Sequence, residues 1–441
     1  MPLLYVALGV ALILVLMIPL KMNGFVALLL AALFVGLLQG MDVNTLLDTI
    51  VSGIGGQVDD LILILGFGAM LGTVMAEAGA AQRIANTLID KMGVKRVQIA
   101  MLLAAYILGI TMFFEVAFVL LIPLVFTIVR QTKMNLLWVA LPTVVGLSTT
   151  HSFLPPHPGP SAVAGVFGAS QGLTLLYGLI IAIPVGFFIA LMWPKIPFIK
   201  KLNPSIPEGL GTSKVFKEEE MPSFLASISA ALIPVALMAV LAVTEITLPE
   251  EHKFRFYMEF FGSAPIALMI SLLISFYILG PKIGRSLSDV MKSCSNAIKP
   301  MGMIILVIGA GGAFKQVLVD SGVADYIQEL TSGLDISPIV LAWLIAVILR
   351  IALGSATVAV MTAAGIVLPI AQASGISMEL MVLAVTSGSV AFSHVNDPGF
   401  WMYKEYLNLS VAEALKTRTT YTTALAILGL GGVLILNMFI G

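Results

Sequence analysis

The sequence is short of charge. Only 11% of its 441 residues are Asp, Glu, Lys or Arg, where a soluble domain carries about 25%. The 24 acids and 23 bases nearly cancel, leaving a formal net charge of −1 and no basic surplus to hold nucleic acid. A single cysteine, Cys294, excludes a disulfide framework and a cysteine-based metal site. The 4 histidines form no His-Glu-x-x-His pattern, so no metal and no cofactor is expected. No Gly-Lys-Ser/Thr follows Gly309, Gly311 and Gly312, so those glycines read as a close helix contact and not as a nucleotide loop. What remains is apolar: 59% of residues are hydrophobic and the mean hydropathy is +1.05. The chain reads as an all-α polytopic membrane protein, with the lipid bilayer as its surroundings. The apolar run from Leu3 to Leu20 has no basic region before it and no Ala-x-Ala site. It reads as a retained first helix and not as a signal peptide.

A crossing takes about 20 apolar residues. Ten segments qualify: 3–20, 23–41, 60–78, 136–165, 173–193, 224–247, 262–281, 300–318, 376–401 and 420–440. Two more, 97–130 and 337–372, are broken at their centres by Phe113-Phe114-Glu115 and by Arg350 with Leu353-Gly354-Ser355. They read as re-entrant hairpins, for about 12–14 hydrophobic segments in all. The basic groups Arg83, Lys91, Lys95 and Arg96, then Arg130 and Lys133, then the stretch 195–222, then Lys282, Arg285 and Lys292, then Lys404, Lys416 and Arg418, are all expected inside. The acidic stretch 319–335 is expected outside, with both termini.

Two segments matter most. Leu147–Pro160 and Ser387–Phe400 carry Pro158-Gly159 and Pro398-Gly399 within apolar sequence. Lipid cannot satisfy the backbone groups such breaks release, so they survive only beside protein or a water-filled cavity. Matching breaks in two halves point to a secondary transporter's substrate site. The halves also share GFGAMLGTVMAEAG (66–79) and GAGGAFKQVLVDSG (309–322). We read a first repeat over 1–194, a cytoplasmic linker over 195–222 and an inverted second repeat over 223–441, each repeat with one hairpin and one discontinuous helix.

KMNGF (21–25), GFGAMLG (66–72), FFEVAFVLLIPLVF (113–126), HSFLPPHPGPSA (151–162), GGAFKQVLVDSGV (311–323), LRIALGSATVA (349–359) and FSHVNDPGFWMYKEY (392–406) together resemble the gluconate:proton symporter family of bacteria. The resemblance runs the length of the chain. It implies a multi-pass inner-membrane protein that takes up gluconate or a related sugar acid with protons, by a moving transport domain, in a homodimer. Members that carry D-serine or other hydroxy acids keep that alternative open. An intramembrane enzyme lacks a paired nucleophile and base here. A passive channel is disfavoured by broken helices around a closed midplane site.

Glu115 at a hairpin tip reads as a proton carrier, since a charge at membrane depth costs about 3 kcal/mol or more and burial raises a carboxyl pKa. It reads alternatively as the ion-pair partner of Arg350. Arg350 is placed to hold a substrate carboxylate, to neutralise Glu115 or to hold hairpin backbone. His151, His157 and His394 suit substrate contact, with His157 and His394 also suited to proton relay, or they satisfy freed carbonyls. Asp397 caps the half-helix that follows it, or joins Asn396 in binding substrate; Asp397 also stands as a proton-coupling candidate. Ser148, Thr149, Ser355, Thr357 and Ser389 supply hydroxyls for a polyhydroxy acid, although any one of them can bond its own chain. Phe114, Gly159 and Gly354 complete the expected substrate contacts.

Overall fold

The structure, a computed structural model, describes residues 2–17, 19–207, 216–298, 301–322, 336–394 and 397–440, without the side chains of Pro2, Leu3, Leu14, Asp60, Leu61, Glu115 and Met301. Its regular elements are helices; the described residues contain no strand. The first half holds α1 (Pro2–Met17), α2 (Gly24–Leu38), α3 (Val43–Glu77), α4 (Ala80–Met92), α5 (Val97–Thr111), α6 (Phe114–Thr132), α7 (Leu136–Phe153), α8 (Pro158–Phe167) and α9 (Gln171–Met192). Next come α10 (Phe224–Thr247), α11 (Lys253–Phe261), α12 (Ala264–Ile278), α13 (Leu287–Ile298) and α14 (Met301–Asp320). The second half closes with α15 (Pro338–Leu353), α16 (Ala356–Ser374), α17 (Met378–Ser389), α18 (Pro398–Tyr406) and α19 (Thr420–Ile440).

Among the described residues, 8 helices are long and apolar enough to cross a membrane, or 9 when the bent α3 counts as one span. This differs from the ten expected crossings in an instructive way. The helices α1, α2 and α17 have 16, 15 and 12 residues, too short at 1.5 Å per residue for a core of about 30 Å. Conversely α5 with the turn before it, and α16, reach 18 and 19 residues although each is one arm of an interrupted pair. Both interruptions lie where the sequence put them: Met112–Phe113 between α5 and α6, and Gly354–Ser355 between α15 and α16.

Two stretches expected to be polar connections are amphipathic helices. α4 carries Arg83 and Lys91 and buries Ala81, Ile84 and Ala85; α13 buries Val290, Cys294 and Ala297. The end of the linker is docked too. The Gln82 amide exchanges two 2.9 Å hydrogen bonds with the Phe216 backbone, and Arg83 donates to the Pro222 carbonyl at 2.7 Å and pairs with Glu218. Lys214 lies outside the described residues, as do Asp325, Glu329 and Asp335 of the acidic stretch.

The glycine motifs pack helices. A Cβ on Gly312 would stand 2.3 Å from the Cβ of Gln57 and 2.4 Å from the Gly53 carbonyl oxygen, so α3 and α14 cross with backbones touching. Both acid-x-Gly ends are equivalent in detail. Gly79 and Gly322 follow their helices at φ +75° and +74°, the left-handed ending that glycine permits. Each acid is held by a hydroxyl from the other half: Thr49 donates to Asp320 at 2.9 Å, and Ser293 donates to Glu77. The first contact ties the start of α3 to the end of α14, and the second ties the end of α3 to α13.

Candidate functional site

The two Pro-Gly segments break their helices as read. α7 ends at Phe153 and α8 restarts at Pro158; α17 ends at Ser389 and α18 restarts at Pro398. Proline suits each restart because the first helical N–H has no partner to lose and φ is already set. In the second break Asp397 caps α18, its Oδ1 accepting from the Gly399 N–H at 2.8 Å. Ser355 caps α16 by accepting from the Val358 N–H at 3.3 Å. The N-termini of α6 and α8 have no capping side chain.

These four N-termini meet at one cavity of about 160 Å³. Its wall includes Phe113 and Phe114 from the start of α6, Pro158 from α8, Ser355 and Thr357 from α16, and Pro398 and Gly399 from α18. Each N-terminus presents roughly half a positive charge and unpaired N–H groups. The space is large enough for several waters or a small polar molecule.

The charged residues add to this field. Arg350, 3% exposed, ends α15 and donates to Asp397 Oδ2 at 2.5 Å and to the Gly354 carbonyl. Arg418 stands 3.8 Å from the same Asp397 oxygen. Its Nε donates to Ser393 at 2.8 Å and its Nη1 to Tyr421 at 3.2 Å. The guanidinium lies 5.0 Å from the Phe114 ring centre and 5.6 Å from that of Tyr403. Ser393 in turn donates to Asp397. Among the described wall residues, two guanidiniums therefore share one carboxylate, and the excess is positive.

Several expected residues line this cavity: Phe114, Ser148, His151, Arg350, Ser355, Thr357 and Asp397. Gly159 and Ser389 line a crevice of about 10 Å³ beside it, shared with His151 and Thr357. Thr149 does not reach it; its hydroxyl donates to the Val145 carbonyl one turn back at 2.7 Å. Gly354 shapes the hairpin tip at φ +73° and receives Arg350. Asn396 and the side chain of Glu115 lie outside the described residues, although the Glu115 backbone is in the first turn of α6. Arg350 pairs with Asp397, because the second break brings the loop before Pro398 against the last turn of α15; the expected pair with Glu115 falls outside the described side chains.

His157 and His394 do matching work. His157 contacts the Gly109 carbonyl of α5 through Nε2, and His394 contacts the Ile351 carbonyl of α15 at 3.0 Å. Both carbonyls belong to the last turn of a first hairpin arm, where no intrahelical donor remains. Each broken loop is thus fastened to its own half's hairpin. The His151 ring lies 5.1 Å from that of His157 and 6.4 Å from Phe114.

Arg418 is the residue the sequence misdirects. Next to Lys416 it reads as a solvated cytoplasmic charge, yet it is 6% exposed and in the cavity wall. The reason is local: Leu415–Thr419 forms a wide π turn ahead of α19, and such insertions re-aim side chains at functional sites. The available signal was a polar run, Thr-Arg-Thr-Thr-Tyr-Thr-Thr at 417–423, opening an apolar helix.

Known proteins bear on this geometry. The chain is 50% identical over 440 residues to a high-affinity gluconate transporter of Escherichia coli K12, covering 100% of both chains. It is 51% identical over 437 residues to the Gnt-II system L-idonate transporter of the same organism (99% of both), and 45% identical to a gluconate permease of Bacillus subtilis 168, over 100% of both. Among solved structures, the YdaH transporter of Alcanivorax borkumensis shares the fold at a TM-score of 0.67 and 16% identity, over 95% of this chain and 97% of that one. MtrF of Neisseria gonorrhoeae does so at 0.64 and 16%, over 89% and 85%. The GntP family permease model matches residues 1–439. A multi-pass bacterial inner-membrane protein that transports and does not catalyse, the chain belongs to the GntP permease family.

Proposed function

We propose that this permease imports a sugar acid of the gluconate type by proton symport, and that the cavity between the broken helices is its binding site. The observation that carries the reading is the meeting of four helix N-termini and two guanidiniums against one carboxylate among the described wall residues. That field favours a monoanion, and the hydroxyls of Ser148, Ser355 and Thr357 suit its polyol chain. The names of the relatives, gluconate and L-idonate transporters, agree with the class.

D-serine is the competing substrate. Its ammonium needs an anionic partner, and Asp397 in the wall is already engaged by Arg350; the names of the relatives favour the sugar acid. For coupling, Glu115 is the proposed carrier: a carboxyl beside the cavity-lining Phe114 on an apolar helix is a functional group by default. Asp397 is spent on an ion pair and both loop histidines on helix-end carbonyls, so they rank behind it. The division into repeats over 1–194 and 223–441, the inward placement of the basic segments and a homodimer belong to the same proposal. Light scattering of the detergent-purified protein tests the dimer.

Counterflow in proteoliposomes tests the substrate. Vesicles loaded with unlabelled gluconate are expected to exchange labelled gluconate and be inhibited by L-idonate. Exchange of D-serine without gluconate would overturn the reading.

A further inference from the structure

Two arginines face the cavity, and they are not equally available. Arg350 has spent its terminal nitrogens, one on Asp397 and one on the Gly354 carbonyl. Its Nε has no acceptor among the described residues and is closed off from solvent, and the one N–H left on each terminal nitrogen belongs to a group already held in place by Asp397 or the Gly354 carbonyl. Its contacts join the tip of one hairpin to the cap of the second broken helix. Arg418 is built differently. Ser393, Tyr421 and the two aromatic faces fix its plane, while its Nη2 stays 3.8 Å from the nearest carboxylate oxygen among the described residues, beyond hydrogen-bond reach. A π turn directs it into the wall next to the uncapped start of α6.

We infer that Arg418 is the residue that takes the substrate's carboxylate, and that Arg350 is a positioning residue that holds the hairpin tip against the second broken helix through Asp397. This rests on the sugar-acid reading above and assigns one contact within it. A guanidinium with a fixed plane and a free terminal nitrogen presents donors to a carboxylate at little entropic cost. The aromatic faces keep it cationic and in place without neutralising it. It follows that specificity for an acid over its neutral analogue belongs to a residue outside both hairpins.

The test compares gluconate with gluconamide, its uncharged amide, as inhibitors of labelled gluconate uptake. Wild-type protein is expected to prefer the acid by about 100-fold, the scale of a charged hydrogen bond lost with its partner left buried. In Arg418→Gln the preference should fall to about threefold or less, since the group that read the charge is gone. Arg418→Lys keeps the cation and should retain about tenfold, which also covers the case that the Gln variant fails to fold. Arg350→Lys should keep the full preference while losing thermal stability. The inference is overturned if Arg418→Gln, or Arg418→Lys where that is the variant that folds, still prefers the acid by about 100-fold, or if the preference vanishes in Arg350→Lys. A wild-type protein that takes up no gluconate would instead sink the sugar-acid reading itself, and this assignment with it.

Discussion

Replacing Arg350 by Gln isolates the buried pair at the centre of the site. The Arg350 and Asp397 side chains are 4% and 11% exposed, so solvent screens their attraction little. Removing the arginine leaves a buried carboxylate whose next cation is 3.8 Å away. Breaking such a pair from one side costs about 3–5 kcal/mol, mostly because a charge is left uncompensated. Asp397→Asn makes the complementary loss. It keeps an oxygen to accept from the Gly399 N–H, so the α18 cap survives, but two guanidiniums then face each other. The double variant Arg350→Gln with Asp397→Asn strands neither member of the pair, and Arg418 loses only its 3.8 Å contact while keeping Ser393 and Tyr421. It is expected within about 1–2 kcal/mol of wild type, giving a coupling energy of about 3 kcal/mol or more. Reversible unfolding in mixed detergent micelles measures all three. Additive losses, with the double variant worse than either single one, would refute the claim that these residues act as a pair.

Three further outcomes follow from the same contacts. Gly312→Ala drives a methyl into Gln57 and the Gly53 carbonyl and should cost about 1–3 kcal/mol, read as a lower melting temperature; an unchanged melting point would mean α3 and α14 are not in backbone contact. Glu115→Gln should abolish pH-driven accumulation while leaving counterflow exchange intact, and uphill uptake by this variant would remove Glu115 as the carrier. His157→Ala strands the Gly109 carbonyl and should cost about 1–3 kcal/mol. His157→Gln should recover part of that with an unshifted pH profile of uptake, whereas a shifted profile would return His157 to the proton path.

The sequence exposed the location of the cavity better than its wiring. Pro158-Gly159, Pro398-Gly399 and the Gly354 interruption announce themselves because lipid tolerates such breaks only beside a cavity, and all three lie at or next to it. The partners of Arg350 were not legible. Asp397 lies 47 residues away, across a break whose fold sets the pairing, and no spacing rule connects them. Arg418 was hidden by the general expectation that basic residues near helix ends stay in water; a one-residue widening of the helix reversed that. The serines and threonines were individually undecidable. Thr149 and Ser148 are adjacent, yet one closes on its own helix and the other, in the cavity wall, shares a hydrogen bond with Tyr421. The amphipathic helices α4 and α13 were missed because their basic residues read as loop charge, while the buried alanines and aliphatics at helical spacing carried the signal.

The most direct test of the account is uptake of labelled gluconate by proteoliposomes holding the purified protein under an imposed inward proton gradient. The account predicts accumulation above the external concentration that collapses when the pH gradient is dissipated. No gluconate uptake, or accumulation indifferent to the gradient, would contradict it.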